Sequence, residues 1–439
     1  MSVDLTAHGL GGQQDLPISL GLAVAGAVAA LIVSFTVLAL AWRRPRYAAT
    51  DGHPVPAALD RLLSYPAFPI ALRLLGMVVF LYTVTVAVFG VEQIINPFFG
   101  IVYVWLWVGI VPMSLLFGPF YKAISPVRTI NMLFARAAGG VPDEGLYRYP
   151  ERLGYWPAAL GIFAFVWLEL VSRSSTELSS VRLWFAVYVG VMVVGGALFG
   201  SGFYARADPF EVYSTLVGKA SVWAVREGRL IVTSPLANLS SIEPRPGLIG
   251  VVGVLFGSTG YDSFGDSPTY VSFVQGSQIN GNLINNVTLV AFCLGAMAII
   301  ALGCVLTGVG PEQRRRDLPN AFAHSIVPIV VGYVVAHYLN YFLEVGSRTI
   351  QQASDPFSDG SDYLGTTNWS DITYLAYHPT LLANIKVGAV VFGHITAAIV
   401  AHERALHLLP VRHQLTGQLP LLLAMVGFTS GGLLLLFSS

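Results

Sequence analysis

Pro246-Gly247-Leu248-Ile249-Gly250-Val251-Val252-Gly253-Val254-Leu255-Phe256-Gly257 is the stretch on which the topology of this chain turns. It is apolar and uncharged. It is also short, because a helix needs about 20 apolar residues to cross a bilayer core of roughly 30 Å. The segment 246–261 therefore reads either as a crossing or as a re-entrant hairpin. Charge decides between them. With ten crossings, Arg43, Arg44, Arg46, Lys122, Arg128, Arg136, Lys219, Arg226, Arg229, Arg245, Arg314, Arg315, Arg316 and Arg404 share one side. The other side keeps only Arg173, Arg182, Arg348 and Lys386. That asymmetry is what the positive-inside rule demands of a cytoplasmic face. With nine crossings, Arg314-Arg315-Arg316 would lie outside. The segment is accordingly taken to span, and both termini face the outer side.

The other apolar runs lie near 18–42, 71–91, 98–118, 154–172, 181–201, 284–307, 319–343, 381–403 and 418–437. The expected fold is all-α: a polytopic transmembrane helical bundle of about ten helices, one integral membrane domain over 1–439. Composition agrees, since 54% of residues are hydrophobic and 11% charged, against about 25% charged in soluble domains. Equal numbers of basic and acidic residues, 24 each, give no electrostatic footprint for nucleic acid. Cytoplasmic loops are expected at 119–153 and 202–247. Within them 119–138 and 208–225 are amphipathic and read as interfacial helices, and Glu227-Gly228 as the turn of a small hairpin. An outer loop, 344–380, holds Asp355, Asp359, Asp362 and Asp371. Cys293 and Cys304 share one run, about 16 Å apart along a helix, too far for a disulfide. The start has no basic region of the signal-peptide kind, so no cleavable leader is expected. The setting implied is a multi-pass protein of a bacterial plasma membrane, with the lipid bilayer as partner and any partner subunit unknown.

Ionisable residues within spans are costly and mark function by default. Glu169, Asp262, His324, His337, His394 and His402 qualify. By depth, His337, Glu169 and Asp262 fall in the outer half. His324 and His402 fall toward the cytoplasm, with His394 between. Tyr333, His337, Tyr341 and Glu344 form one helical stripe. Neutral imidazoles with carboxylates are ligands for a divalent transition metal such as zinc, copper, iron or manganese. His337, His394 and His402 are the expected ligands and His324 the next candidate, with Glu169 or Asp262 completing an outer site or acting as catalytic base. Such a metal would acidify a water for hydrolysis. The same residues could instead form a metal-ion or proton path across the bundle. A haem held by two histidines is a third reading: His324 precedes His337 by the interval that separates His394 from His407, so antiparallel helices could bring both pairs level. The plain alternative is that each histidine hydrogen-bonds a neighbour and only stabilises the bundle. His8, in Ala7-His8-Gly9, is a weaker candidate for copper or zinc. Gly253-xxx-Gly257 is a helix-packing spacing.

The residues Trp107-Val108-Gly109 with Pro112, Trp156-Pro157-Ala158-Ala159-Leu160-Gly161, Trp167-Leu168-Glu169-Leu170, Phe210-Glu211-Val212-Tyr213, Ala336-His337-Tyr338, Ser354-Asp355-Pro356-Phe357, Gly393-His394 and Ala401-His402-Glu403 carry a resemblance. In their order and spacing the chain resembles the bacterial membrane family labelled fenitrothion hydrolase. The resemblance implies hydrolysis of an apolar aryl phosphotriester and fits a metal-activated water. It assigns no catalytic residue.

Overall fold

A computed structural model of the chain describes residues 15–48, 50–307, 314–410, 413–414 and 416–437. The chain is helical, with helices α1 (Leu20–Ala41), α2 (Ala67–Phe89), α3 (Pro97–Val108), α4 (Ile110–Phe117), α5 (Pro126–Ala137), α6 (Trp156–Leu170) and α7 (Leu178–Phe199) in its first half. There follow α8 (Pro209–Gly218), α9 (Leu248–Gly265), α10 (Gly281–Val305), α11 (Val327–Gln352), α12 (Pro379–Leu408) and α13 (Leu419–Leu436). Among the described residues seven helices are long and apolar enough to cross a membrane, or eight if α3 and α4 form one bent span. These helices make it a multi-pass membrane protein. Every apolar run read from the sequence is helical, though 98–118 and 319–343 are broken. α6 is shorter than a full span, and α9, at about 27 Å, falls short of the roughly 30 Å core and is not among the seven.

The single domain expected over 1–439 divides into two compact units. One comprises 1–51, 236–341 and 373–439, the other 52–235 and 342–372. The division arises because the chain after 235 returns to pack on its own N-terminal helix.

In the first unit α9 is buried on almost every side, as a helix apolar all round must be. The Gly253-xxx-Gly257 spacing lets it lie on α10. A Cβ at Gly253 would stand 2.8 Å from Met297 Cβ, and one at Gly257 2.6 Å from Cys293 Cα. Each helical glycine costs about 1 kcal/mol against alanine, offset here by backbone-to-backbone packing. α11 and α12 cross as closely. A Cβ at Gly332 would lie 2.4 Å from the Ala389 carbonyl, and one at Gly393 2.6 Å from that of Pro328. The run 319–343 is not one helix. It breaks at a 3-10 turn, Ala323–Ile326, and restarts as α11 with Pro328 in its first turn, where the missing N–H costs nothing.

In the second unit α3 is largely a π-helix, Gly100–Val108, closed by a Gly109 N–H to Val104 carbonyl bond of 2.8 Å. The chain then bends by 45° into α4. α8, expected as an interfacial helix, is instead buried along nearly its whole length and packs against α4 and α6. Its polar face is covered as well as its apolar one, because Glu211 pairs with Arg128 and Ser214 meets Ser114, so no side is left for lipid headgroups. The hairpin at Glu227-Gly228 is present, with both residues at positive φ. It joins β2 (Trp223–Arg226) to β3 (Arg229–Val232), and β1 (His53–Pro54) adds to the far edge of β3.

Candidate functional site

α9 and α11 together build one polar group in the apolar first unit. Asp262 Oδ2 accepts the Tyr338 hydroxyl at 2.6 Å and faces His337 Nε2 at 2.9 Å. His337 Nδ1 meets Ser263 Oγ at 3.2 Å. Asp262 is 6% exposed and His337 4%. A neutral imidazole fits these atoms by donating Nε2–H to the Asp262 carboxylate and accepting the Ser263 hydroxyl at Nδ1, and with both nitrogens protonated His337 would be the cation of an ion pair. Just beyond the end of α9, the Asp266 carboxyl is pushed up to about 7, by burial first and then by the Asp262 charge, with His337 opposing.

The sequence brought Asp262 and His337 to the same outer level, and they meet. Tyr338 and Ser263 were missed. Each is the chain neighbour of a singled-out residue, and a strict stripe on one helix face leaves neighbours out.

The other expected ligands stand elsewhere. His394 donates Nδ1–H to the Val390 carbonyl at 2.8 Å, and its Nε2 is buried without a hydrogen-bond partner among the described residues. It lies beside Gly393, where α12 crosses α11 near Pro328 and Gly332. His337 is level with about residues 384–388 of α12, so His394 is roughly 9–15 Å deeper. That register removes the level pairs on which the haem reading rested. His402 is held at both ring nitrogens, by the Trp42 carbonyl at 2.8 Å and by Gln418 Oε1 at 3.1 Å. Next to it Glu403 accepts Trp42 Nε1 and the backbone N–H groups of Arg46 and Tyr47. The pair fixes the turn after α1. His324 Nε2 receives Arg404 Nε at 3.4 Å, and a guanidinium on that lone pair opposes a metal cation. Glu169 belongs to the second unit, near Tyr213. His8 lies outside the described residues.

The donor set therefore does not fit one resident metal. Among the described residues no three His, Cys, Asp or Glu side chains converge to hold an ion. For His402 the plain hydrogen-bonding alternative describes what is there, whereas His324 has Arg404 at Nε2 and a buried Nδ1 with no hydrogen-bond partner among the described residues.

The second unit hides a polar network that periodicity did not disclose. Asp208 caps α8, its Oδ1 accepting the N–H of Phe210 at 3.0 Å and of Glu211 at 3.3 Å, as well as the Tyr188 hydroxyl at 3.0 Å. Tyr188 in turn meets the Tyr121 hydroxyl at 3.2 Å. Arg128 clamps Glu211 with two bonds, the longer 2.6 Å. Asp208 Oδ2 has no hydrogen-bond partner among the described residues. Its carboxyl is pushed up to about 7, by burial first and then by the Glu211 charge. Asp208 precedes Pro209, a pairing that suits a helix start, but nothing local in the sequence marks the aspartate as buried.

Compared with known proteins, the chain matches no family model, no curated protein and no solved structure.

Proposed function

We propose that this chain is a multi-pass protein of a bacterial plasma membrane that carries protons across the bilayer through the Asp262–His337–Tyr338 group. Ten crossings with both termini outside remain the topology that best satisfies the charge asymmetry. The observation that supports the proton path is the single buried Asp262 oxygen shared between an imidazole and a phenol. Intramembrane Asp–His chains of this kind are the parts from which proton relays are made. Asp266 stands where protons would enter from the outer side.

The test is potential-driven proton uptake in proteoliposomes holding a lumenal pH dye. Wild-type vesicles acidify when a potassium diffusion potential is imposed. Asp262→Asn vesicles stay at the level of empty ones. Wild-type uptake equal to that of empty vesicles overturns the proposal.

A second reading is hydrolysis of an apolar ester, as the resemblance to the fenitrothion hydrolase family implies. One observation favours it: Ser263, His337 and Asp262 are hydrogen-bonded in that order, the order of nucleophile, base and orienting carboxylate. It predicts nitrophenol release from an aryl ester that is lost in Ser263→Ala. Turnover that survives Ser263→Ala excludes this form of it.

A further inference from the structure

Within the first unit α9, α10, α11 and α13 leave a cavity of about 290 Å³. Phe256, Phe292, Tyr333 and Phe428 form its aromatic walls, and the remaining lining is glycine, alanine, isoleucine and leucine. No charged residue borders it. The one hydroxyl, that of Tyr333, is already committed to the Gly432 carbonyl at 2.7 Å. An occupant thus finds no polar partner inside.

Two observations indicate what enters. The flanks of the helices that bound the opening are exposed and apolar: Val290, Leu294 and Leu302 on α10, Leu423 and Leu434 on α13. In a membrane-spanning pair such a flank faces lipid tails, so the cavity opens on hydrocarbon rather than on water. The second observation concerns glycine. Gly257 needs to be glycine because α10 backbone lies against it. Gly295, Gly427 and Gly431 do not: a Cβ at any of them meets no atom within 4 Å. Packing gives no reason for their smallness, but side chains there would reduce the space beside them. At 290 Å³ the cavity is about twice the size that suffices to bind benzene in an apolar core.

We infer that this cavity is a binding site for the hydrocarbon chain of a bilayer lipid, which enters between α10 and α13 and rests on the Phe256–Tyr333–Phe428 wall. The headgroup stays outside, since nothing in the cavity would solvate it.

The probe is phosphatidylcholine with a photoactivatable diazirine near one acyl terminus, in vesicles holding the full chain. Labelled positions are mapped by mass spectrometry after irradiation. The site predicts labelling concentrated at 291–299 and 427–435, well above that of the lipid-facing residues Leu81 and Val187. Gly431→Leu, and separately Gly427→Leu, lower it by about tenfold, the loss of roughly two buried methylenes, while Leu81 and Val187 keep theirs. Wild-type labelling of the lining no higher than at Leu81 and Val187 means ordinary annular lipid and overturns the inference, whether or not the variants fold. Unchanged lining label in either folded variant overturns it as well.

Discussion

Asp208→Asn should make the protein more stable at pH 8 and leave it unchanged at pH 4. The Asp208 carboxyl is buried at the start of α8 with a raised pKa of about 7. In the unfolded chain it titrates near its ordinary 3.8. Between those values the folded state binds a proton that the unfolded state has released. Stability therefore falls as pH rises from about 4 to about 7, and the loss is complete above that. The gap corresponds to about 4 kcal/mol of preference for the neutral form. Asparagine removes the titration and keeps the contacts. Its side-chain oxygen still caps Phe210 and Glu211 and still accepts from Tyr188, and asparagine is as good a cap as aspartate. The gain at pH 8 is thus of order 4 kcal/mol, or several degrees in melting temperature. The assay is thermal unfolding in detergent from pH 4 to 8.5. A difference between the two proteins that does not change with pH, or a variant less stable at pH 8, would show that Asp208 is not held neutral by burial.

Three further outcomes follow from other parts of the structure. Glu403→Ala frees the turn that Trp42, Arg46 and Tyr47 form around that carboxylate, so trypsin should cut after Arg43 and Arg46 several times faster; unaltered cleavage kinetics would deny the clamp. Gly257→Val sets a side chain against α10 backbone and should cost roughly 1–3 kcal/mol or more, whereas Gly295→Ala should be nearly neutral in the same unfolding assay; equal effects would contradict the close approach. In the loop after α11 Ser354 and Thr367 hold the Asp362 carboxyl down to about 2; the order it confers is complete above about pH 4 and lost as pH falls through 2, which amide exchange over 354–367 would register, with Asp362→Asn loosened already at neutral pH.

The long helices were legible because lipid imposes long apolar runs, and the same apolar pattern made 246–261 legible as a helix. The hairpin at Glu227-Gly228 was equally local. What the sequence hid was register. Depth counted along two helices placed His337 and His394 for comparison, but the Gly332 and Gly393 contacts set the crossing nearer the N-terminal end of α11 than an index match implies. The break at Ala323–Ile326 sets His324 in a turn outside α11, so it does not share a helix with His337. The burial of α8 was hidden for a related reason: ten residues of mixed polarity resemble an interfacial helix until a bent π-helix and its successor are seen to cover them.

The proposed proton path requires the Asp262–His337 pair to take up and release a proton. Side-chain nitrogen NMR of selectively labelled histidine tests it, with the His337 signals assigned by loss in His337→Gln. The shifts of both ring nitrogens should move together through a protonation step as pH is varied, and that step should be displaced in Asp262→Asn. A His337 that keeps one neutral tautomer at every pH, with shifts unaltered in Asp262→Asn, would contradict the account.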